Sequence, residues 1–195
     1  MSKAAMCKTL GALFPETKGM PRAEVLYDLA KEASDGAIVE IGTHHGFGAI
    51  ALASGSRDGA GVPIYTVDPS EPAFIWTGHT MYGQGDRATL LRNLLEANVT
   101  DLVRIVGLDA RQAWAAFKED DISLLFWDIG ISLKKPGMKE AIDEWITKIR
   151  VGGILALGET FGGHLGTDDY IADLVKMGTY RQKNNRYAIR IAERI

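Results

Sequence analysis

Ala37-Ile38-Val39-Glu40-Ile41-Gly42-Thr43-His44-His45-Gly46-Phe47-Gly48-Ala49-Ile50-Ala51-Leu52-Ala53 is the stretch on which the reading of the fold rests. It opens as a short apolar run with one acid near its end, the pattern of a strand buried on both faces. Gly42, Gly46 and Gly48 then crowd into seven positions. Ala-Ile-Ala-Leu-Ala follows and favours helix. The order is therefore strand, tight glycine turn, helix. Glycine admits positive φ and lets a ligand approach the main chain. The helix start leaves N–H groups and a partial positive charge that suit an anion. The spacing Gly-x-x-x-Gly-x-Gly is not the Gly-x-Gly-x-x-Gly of a dinucleotide turn. It also lacks the Lys of a phosphate loop.

The chain has 195 residues, 46% hydrophobic and 24% charged, which suits one globular domain with a sizeable core. No run is long and apolar enough to span a bilayer, and Met1–Phe14 has no continuous apolar core of a signal peptide. The single cysteine, Cys7, excludes an intrachain disulfide framework and a multi-cysteine metal cluster, so a cytoplasmic compartment is expected. The formal net charge is −3 with acids and bases interspersed. Neither a nucleic-acid face nor a membrane face is expected.

Residues 1–18 are an N-terminal arm or a short helix using Ala4, Ala5, Leu10 and Leu13. Pro21–Ser34 is predicted helical, with Pro21 in its first turn and Asp35-Gly36 at its end. The strand Ala37–Gly42 and a helix to about Ser54 come next, then a glycine-rich loop over 55–62. Ile64–Asp68 is the second strand. Asp68 sits where a carboxylate can accept from both ribose hydroxyls of an adenosine ligand; it also fits a strand-ending Asp-Pro turn. Residues 70–85 are a long loop with Trp76, His79 and Tyr82, either a substrate lid or a surface excursion. Asp86–Asn98 is a helix whose expected buried face is Leu90, Leu91, Leu94 and Leu95. Leu102–Val106 is the third strand, and Asp109 can cap the helix that follows, to about Lys118. Ile122–Asp128 is the fourth strand. Lys139–Arg150 is a helix with Ile142, Trp145, Ile146 and Ile149 on one face. A fifth strand begins at Val151, a last helix covers Asp168–Met177, and Tyr180–Lys183 and Tyr187–Ala192 form a final hairpin-like pair.

"IVEIGTHHGFGAIALA" resembles motif I of the class I S-adenosylmethionine-dependent methyltransferases, in the Glu-x-Gly-Thr/Ser-x-x-Gly-x-Ser form of small O-methyltransferase-like members, with Gly48 in place of Ser. The fourth strand resembles the family's Asp-x-x-Phe-x-Asp pattern, although Ile129-Gly130-Ile131-Ser132 replace the usual polar followers of that acid. Val151-Gly152-Gly153 through Glu159-Thr160 resembles the fifth-strand motif. Glu159 and Thr160 fall where catechol-type metal-dependent members carry Asp and Asn. The resemblance runs from about Met20 to the C-terminus. It implies a three-layer αβα sandwich, a Rossmann-like methyltransferase fold, with a mostly parallel seven-stranded sheet and an antiparallel last strand. It places Asp109-Ala110 at the adenine ring and Asp128 at the cofactor edge. A homodimer is one assembly it leaves open.

Glu40, Asp68, Asp109, Asp128 and Glu159 all fall at or just past a strand's C-terminal end, where ligands bind in such sheets. That ring of carboxylates would repel a polyphosphate. It suits a sulfonium with an ammonium group and ribose hydroxyls, its carboxylate taken by N–H groups around Gly42, Thr43, His44, Gly46 and Phe47. S-adenosylmethionine is thus the expected cofactor and a small molecule, methylated at oxygen, the expected acceptor. A hydroxyl acceptor needs activation. The candidates are a divalent ion such as Mg²⁺ on Asp128, Glu159 and Thr160, or a histidine base, His79 ahead of His44, His45 and His164. A cofactor-binding protein without transfer activity and an NAD-dependent oxidoreductase are the alternative readings.

Overall fold

The computed structural model describes residues 1–17, 19–69, 87–118, 121–129, 137–158 and 166–195. Helices α1 (Lys3–Leu13) and α2 (Met20–Glu32) precede β1 (Ala37–Ile41), α3 (Phe47–Asp58) and β2 (Ile64–Val67). Then come α4 (Arg87–Glu96), β3 (Val103–Val106), α5 (Ala110–Ala116) and β4 (Ile122–Trp127). The chain continues through α6 (Met138–Ile146), β5 (Ile149–Gly158), α7 (Thr167–Lys176), β6 (Tyr180–Gln182) and β7 (Ile189–Arg194).

The strands form one sheet in the order β3-β2-β1-β4-β5-β7-β6. Every pair from β3 to β5 is parallel, and β7 runs antiparallel to both β5 and β6. This is the Rossmann-like methyltransferase arrangement. The chain reverses its direction of travel across the sheet at β1, which has β2 on one side and β4 on the other. A crevice opens outside the carboxyl ends of the strands at such a point.

The two faces of the sheet carry separate cores. Ile38, Ile64, Leu124, Phe126 and Ala156 pack with residues of α1, α2, α3 and α4. Val39, Ile41, Leu125, Trp127, Leu155 and Leu157 pack with residues of α5, α6 and α7. Side chains alternate along a strand. That period carries Glu40, Thr66 and Asp128 onto the first face, at its carboxyl edge, beside α2 and α3.

Several elements depart from expectation for identifiable reasons. Helix α3 runs on to Asp58 through Gly55, the first residue of the expected loop, and is capped by Gly59. A Cβ at Gly55 would overlap the Tyr27 carbonyl, and one at Gly59 the Lys31 carbonyl, so these glycines let α3 lie against the backbone of α2. Residues 3–13 are helical and bury Met6 and Leu10, while Ala4 and Ala5 face out. Helix α4 buries Leu90, Asn93 and Leu94; Leu91 and Leu95 are exposed. Ile149 pairs with Ile122 as a strand residue, which ends α6 before it. No helix among the described residues is long and apolar enough to cross a membrane.

Candidate functional site

Glu40 is the buried centre of the carboxyl edge, 1% exposed. Thr66 is its register partner on β2, and the Thr66 hydroxyl donates to Glu40 Oε2 at 2.5 Å. The Thr43 hydroxyl is in turn hydrogen-bonded to that of Thr66. Burial pushes the Glu40 carboxyl up to about 8; the bond from Thr66 and the charge of Arg22 oppose this, and Asp128 and Asp68 add to it. A carboxyl so placed keeps its proton until a cation arrives.

The turn wraps over this acid. The Gly42 N–H donates to the Val67 carbonyl at 2.9 Å, and the Asp128 N–H to the Ile41 carbonyl at 2.8 Å. Asp68 and Asp128 therefore flank the start of the turn from β2 and β4. Gly42 and Gly46 both have φ of 94°, a region that L side chains avoid. The backbone N–H of His44 donates to Asp68 Oδ2 at 2.9 Å. The His44 and His45 rings lie 3.9 Å apart between centroids. Asn93 of α4 donates from Nδ2 to the His45 carbonyl at 2.9 Å, which pins the far side of the turn. Phe47 begins α3 and meets Phe14 edge-on at 5.4 Å, so the N-terminal segment touches the turn as well.

Asp109 caps α5, its Oδ1 accepting from the backbone N–H groups of Arg111 at 2.9 Å and Gln112 at 3.0 Å. The neighbouring Ala110 carbonyl accepts from Trp145 Nε1 at 2.7 Å. These bonds fix the Asp109-Ala110 corner past the end of β3.

Asp128 is bound by a residue that the sequence did not single out. Arg22, in the first turn of α2, forms an ion pair from Nη2 to Asp128 Oδ1. Its Cζ lies 5.2 Å from the centroid of the Phe126 ring, and its Nε is buried with no hydrogen-bond partner. Burial pushes the Asp128 carboxyl up, while Arg22 and, more weakly, His44 hold it down. Gly158 leaves room for the pair, since a Cβ there would overlap Arg22 Nη2 and lie 2.5 Å from Asp128 Oδ1.

These residues fit a cationic ligand that also carries hydroxyls and a carboxylate. Asp68 supplies a carboxylate, Glu40 an acid that can ionise against a cation and Asp128 a further carboxylate on three adjacent strands, and the start of α3 supplies N–H donors. The fit to a divalent ion is poor. Asp128 is the one expected metal ligand among the described residues, and a guanidinium already occupies its oxygen, where it would repel a second cation. No group of three metal-ligating side chains occurs among the described residues. His79, His164, Glu159 and Thr160 lie outside them, as does the expected lid over 70–85.

Arg22, Thr66 and Asn93 are the contributors that sequence reasoning missed. Thr66 had a signal, its place two residues before Asp68 on a strand of period two. Arg22 and Asn93 had none that is local.

Residues 39–160 match the family described as "Methyltransferase domain". No curated protein matches the chain. Among solved structures it is similar to the O-methyltransferase NovP, at a TM-score of 0.76 and 14% identity, covering 98% of this chain and 97% of that one. It is also similar to the S-adenosylhomocysteine-bound methyltransferase PaMTH1 of Podospora anserina (TM-score 0.65, 13% identity, 98% and 88% covered). A third is the O-methyltransferase TomG of Streptomyces achromogenes, involved in tomaymycin synthesis and solved with S-adenosylmethionine (TM-score 0.58, 17% identity, 98% and 88% covered). At such identities the structural likeness speaks for the fold. The sequence match spans more than half of the chain and begins on the strand that feeds the glycine turn, and by it this chain belongs to the class I S-adenosylmethionine-dependent methyltransferases.

Proposed function

We propose that this chain transfers a methyl group from S-adenosylmethionine to an oxygen atom of a small molecule. The observation that carries the reading is the convergence of Glu40, Asp68 and Asp128 on one glycine turn at the switch point of the sheet. When bound, the sulfonium supplies an electrophilic methyl and a neutral thioether leaving group. The protein's share is then positioning and acceptor activation.

In this reading the N–H groups of the turn receive the methionyl carboxylate. Asp68 accepts from the ribose hydroxyls, and Asp109-Ala110 line the adenine edge. Glu40 answers the positive end of the cofactor, giving up its proton as the cation arrives. His79 takes the acceptor proton. An oxygen acceptor agrees with the O-methyltransferase titles of NovP and TomG. A small acceptor agrees with a net charge of −3 and the lack of a basic face in the sequence.

Calorimetric titration with S-adenosylmethionine, S-adenosylhomocysteine and NAD tests the cofactor. Micromolar binding of the first two and none of NAD is expected, and the reverse order would sink the reading. Mass spectrometry of a small-molecule panel incubated with labelled cofactor separates transfer from binding alone.

A further inference from the structure

Arg22 is paired with Asp128, the carboxylate just past β4 and one of the groups that the resemblance offered to a divalent ion. Its guanidinium is held on three sides. Asp128 Oδ1 takes Nη2, the Phe126 ring lies 5.2 Å from Cζ, and Gly158 provides the space for both side chains. The ion pair is one-fifth exposed, at 20% for Arg22 and 21% for Asp128, so the group borders the crevice without being dissolved in it. Its Nε–H is buried and lacks an acceptor. A guanidinium presents five donors in a fixed fork and stays charged at any working pH. The Nε–H donor is closed to a ligand, but the fifth of the side chain that stays exposed lets the rest of the fork meet an anionic oxygen from the crevice.

We propose that Arg22 is the resident cation of the acceptor site, receiving the anionic oxygen of a phenolate or carboxylate acceptor in place of a divalent metal. The inference rests on the methyltransferase reading above and adds to it the acceptor class and the means of activation. A carboxylate acceptor arrives already ionised, its proton in bulk water, and a phenol passes its proton to the base of that reading before transfer, the anion being held by the guanidinium. The anionic oxygen then forms the O–CH₃ bond as the S–CH₃ bond breaks, with the electron pair of that bond left on sulphur. Charge is conserved, since an anion and a sulfonium give a neutral ether or ester and a neutral thioether. Asp128 acts here as a positioning residue, fixing the guanidinium against Phe126.

The test uses the full chain saturated with S-adenosylhomocysteine. A panel of substituted phenols and benzoates is titrated by calorimetry with and without EDTA, and Mn²⁺ binding is followed by electron paramagnetic resonance. The expected result is that wild type binds at least one panel member equally well with EDTA present and holds no stoichiometric Mn²⁺. Arg22→Gln should weaken that ligand about tenfold or more, and Arg22→Lys, which keeps the charge but not the fork, should recover part of the loss. S-adenosylhomocysteine binding by each variant reports that it is folded. Stoichiometric Mn²⁺ in wild type, EDTA-sensitive ligand binding, no binding by any panel member, or equal affinity in Arg22→Gln would each overturn the proposal while leaving the cofactor reading intact. Failure of wild type to bind S-adenosylhomocysteine would remove both.

Discussion

Gly48 lies so close to Glu40 that a Cβ at Gly48 would overlap the carboxyl Oε1. The glycine has no positive φ to demand it, so the constraint is space alone. A Ser at this place, as in the family motif that the sequence resembles, would drive the buried acid off Thr66. Gly48→Ser is expected to cost about 2 kcal/mol of stability, typical of overpacking in a closed site. It should also weaken S-adenosylmethionine about tenfold. Shortening the acid should relieve the clash, so Gly48→Ala with Glu40→Asp should melt above Gly48→Ala alone. Equal melting temperatures for those two proteins would show that the contact is not limiting.

Glu40 gives the unliganded protein a pH dependence of defined sign. Its carboxyl is raised from 4.5 to about 8 in the fold, first by burial and then by Asp128 and Asp68, against Thr66 and Arg22. The unfolded chain therefore loses this proton at lower pH than the folded one. The stabilisation is fully present below pH 4.5 and is lost as pH rises through about 8. Its ceiling is on the order of 5 kcal/mol. Glu40→Gln should remove this slope and melt above wild type at pH 8, with little difference at pH 4.5. The same acid predicts that S-adenosylmethionine binding at pH 7 releases up to one proton. Calorimetry in two buffers of different ionisation enthalpy counts that proton, and Glu40→Gln should lose it.

Strands β1, β2 and β4 were legible because each is a largely buried apolar run, and their place in the sheet follows from alternation with helices. Glu40, Asp68 and Asp128 were legible because each lies at the end of such a run. Residues 55–58 were not, since glycine lowers local helix propensity and only the backbone of α2 explains their helical state. The Leu-rich pattern of α4 pointed to Leu91 and Leu95, yet the helix turns Asn93 inward to reach the His45 carbonyl. Arg22 was invisible because its partner is 106 positions away, and a lone Arg in a first helical turn ordinarily faces water. Long-range polar pairing leaves no periodic trace.

Asn93 tests how much the turn depends on that tether. It is 5% exposed, and its amide holds the carbonyl next to Gly46. Asn93→Leu keeps the volume and removes the donor, leaving a carbonyl unsatisfied at a cost of about 1–3 kcal/mol. The expected outcome is a lower melting temperature together with faster amide exchange over residues 43–47. Unchanged exchange there would mean that the glycines alone hold the turn.

Asp68 is already engaged before any ligand binds, through the His44 N–H at 2.9 Å. Its carboxylate thus comes oriented toward the crevice by the turn itself. Asp68→Ala should lose both that bond and the expected ribose contacts, each a bond to a charged acceptor worth about 1.5–3 kcal/mol. Affinity for S-adenosylhomocysteine should fall at least about tenfold, with a smaller loss for Asp68→Asn, which keeps an oxygen acceptor. Loss of affinity for methionine equal to that for S-adenosylhomocysteine would place Asp68 at the amino-acid end instead.

The Arg22–Asp128 pair should show the asymmetry of half-buried ions. Removing Asp128 strands the guanidinium over Phe126, and removing Arg22 leaves the Asp128 carboxylate without its cation, each with little water to solvate it. Asp128→Leu alone is expected to cost about 3 kcal/mol, the lower end for a broken buried pair, because the site is partly open. Arg22→Met alone should cost less, since burial already pushes the Asp128 carboxyl up and it can take a proton. The double variant replaces both charges by apolar groups of similar size and should be more stable than Asp128→Leu. A double-mutant cycle by urea denaturation at pH 7 measures the coupling, expected at about 1–3 kcal/mol. That coupling should shrink as pH falls and Asp128 protonates, because the folded pair is lost with the carboxylate charge. A coupling near zero at pH 7 would mean that the guanidinium is held by packing, with Asp128 as a bystander.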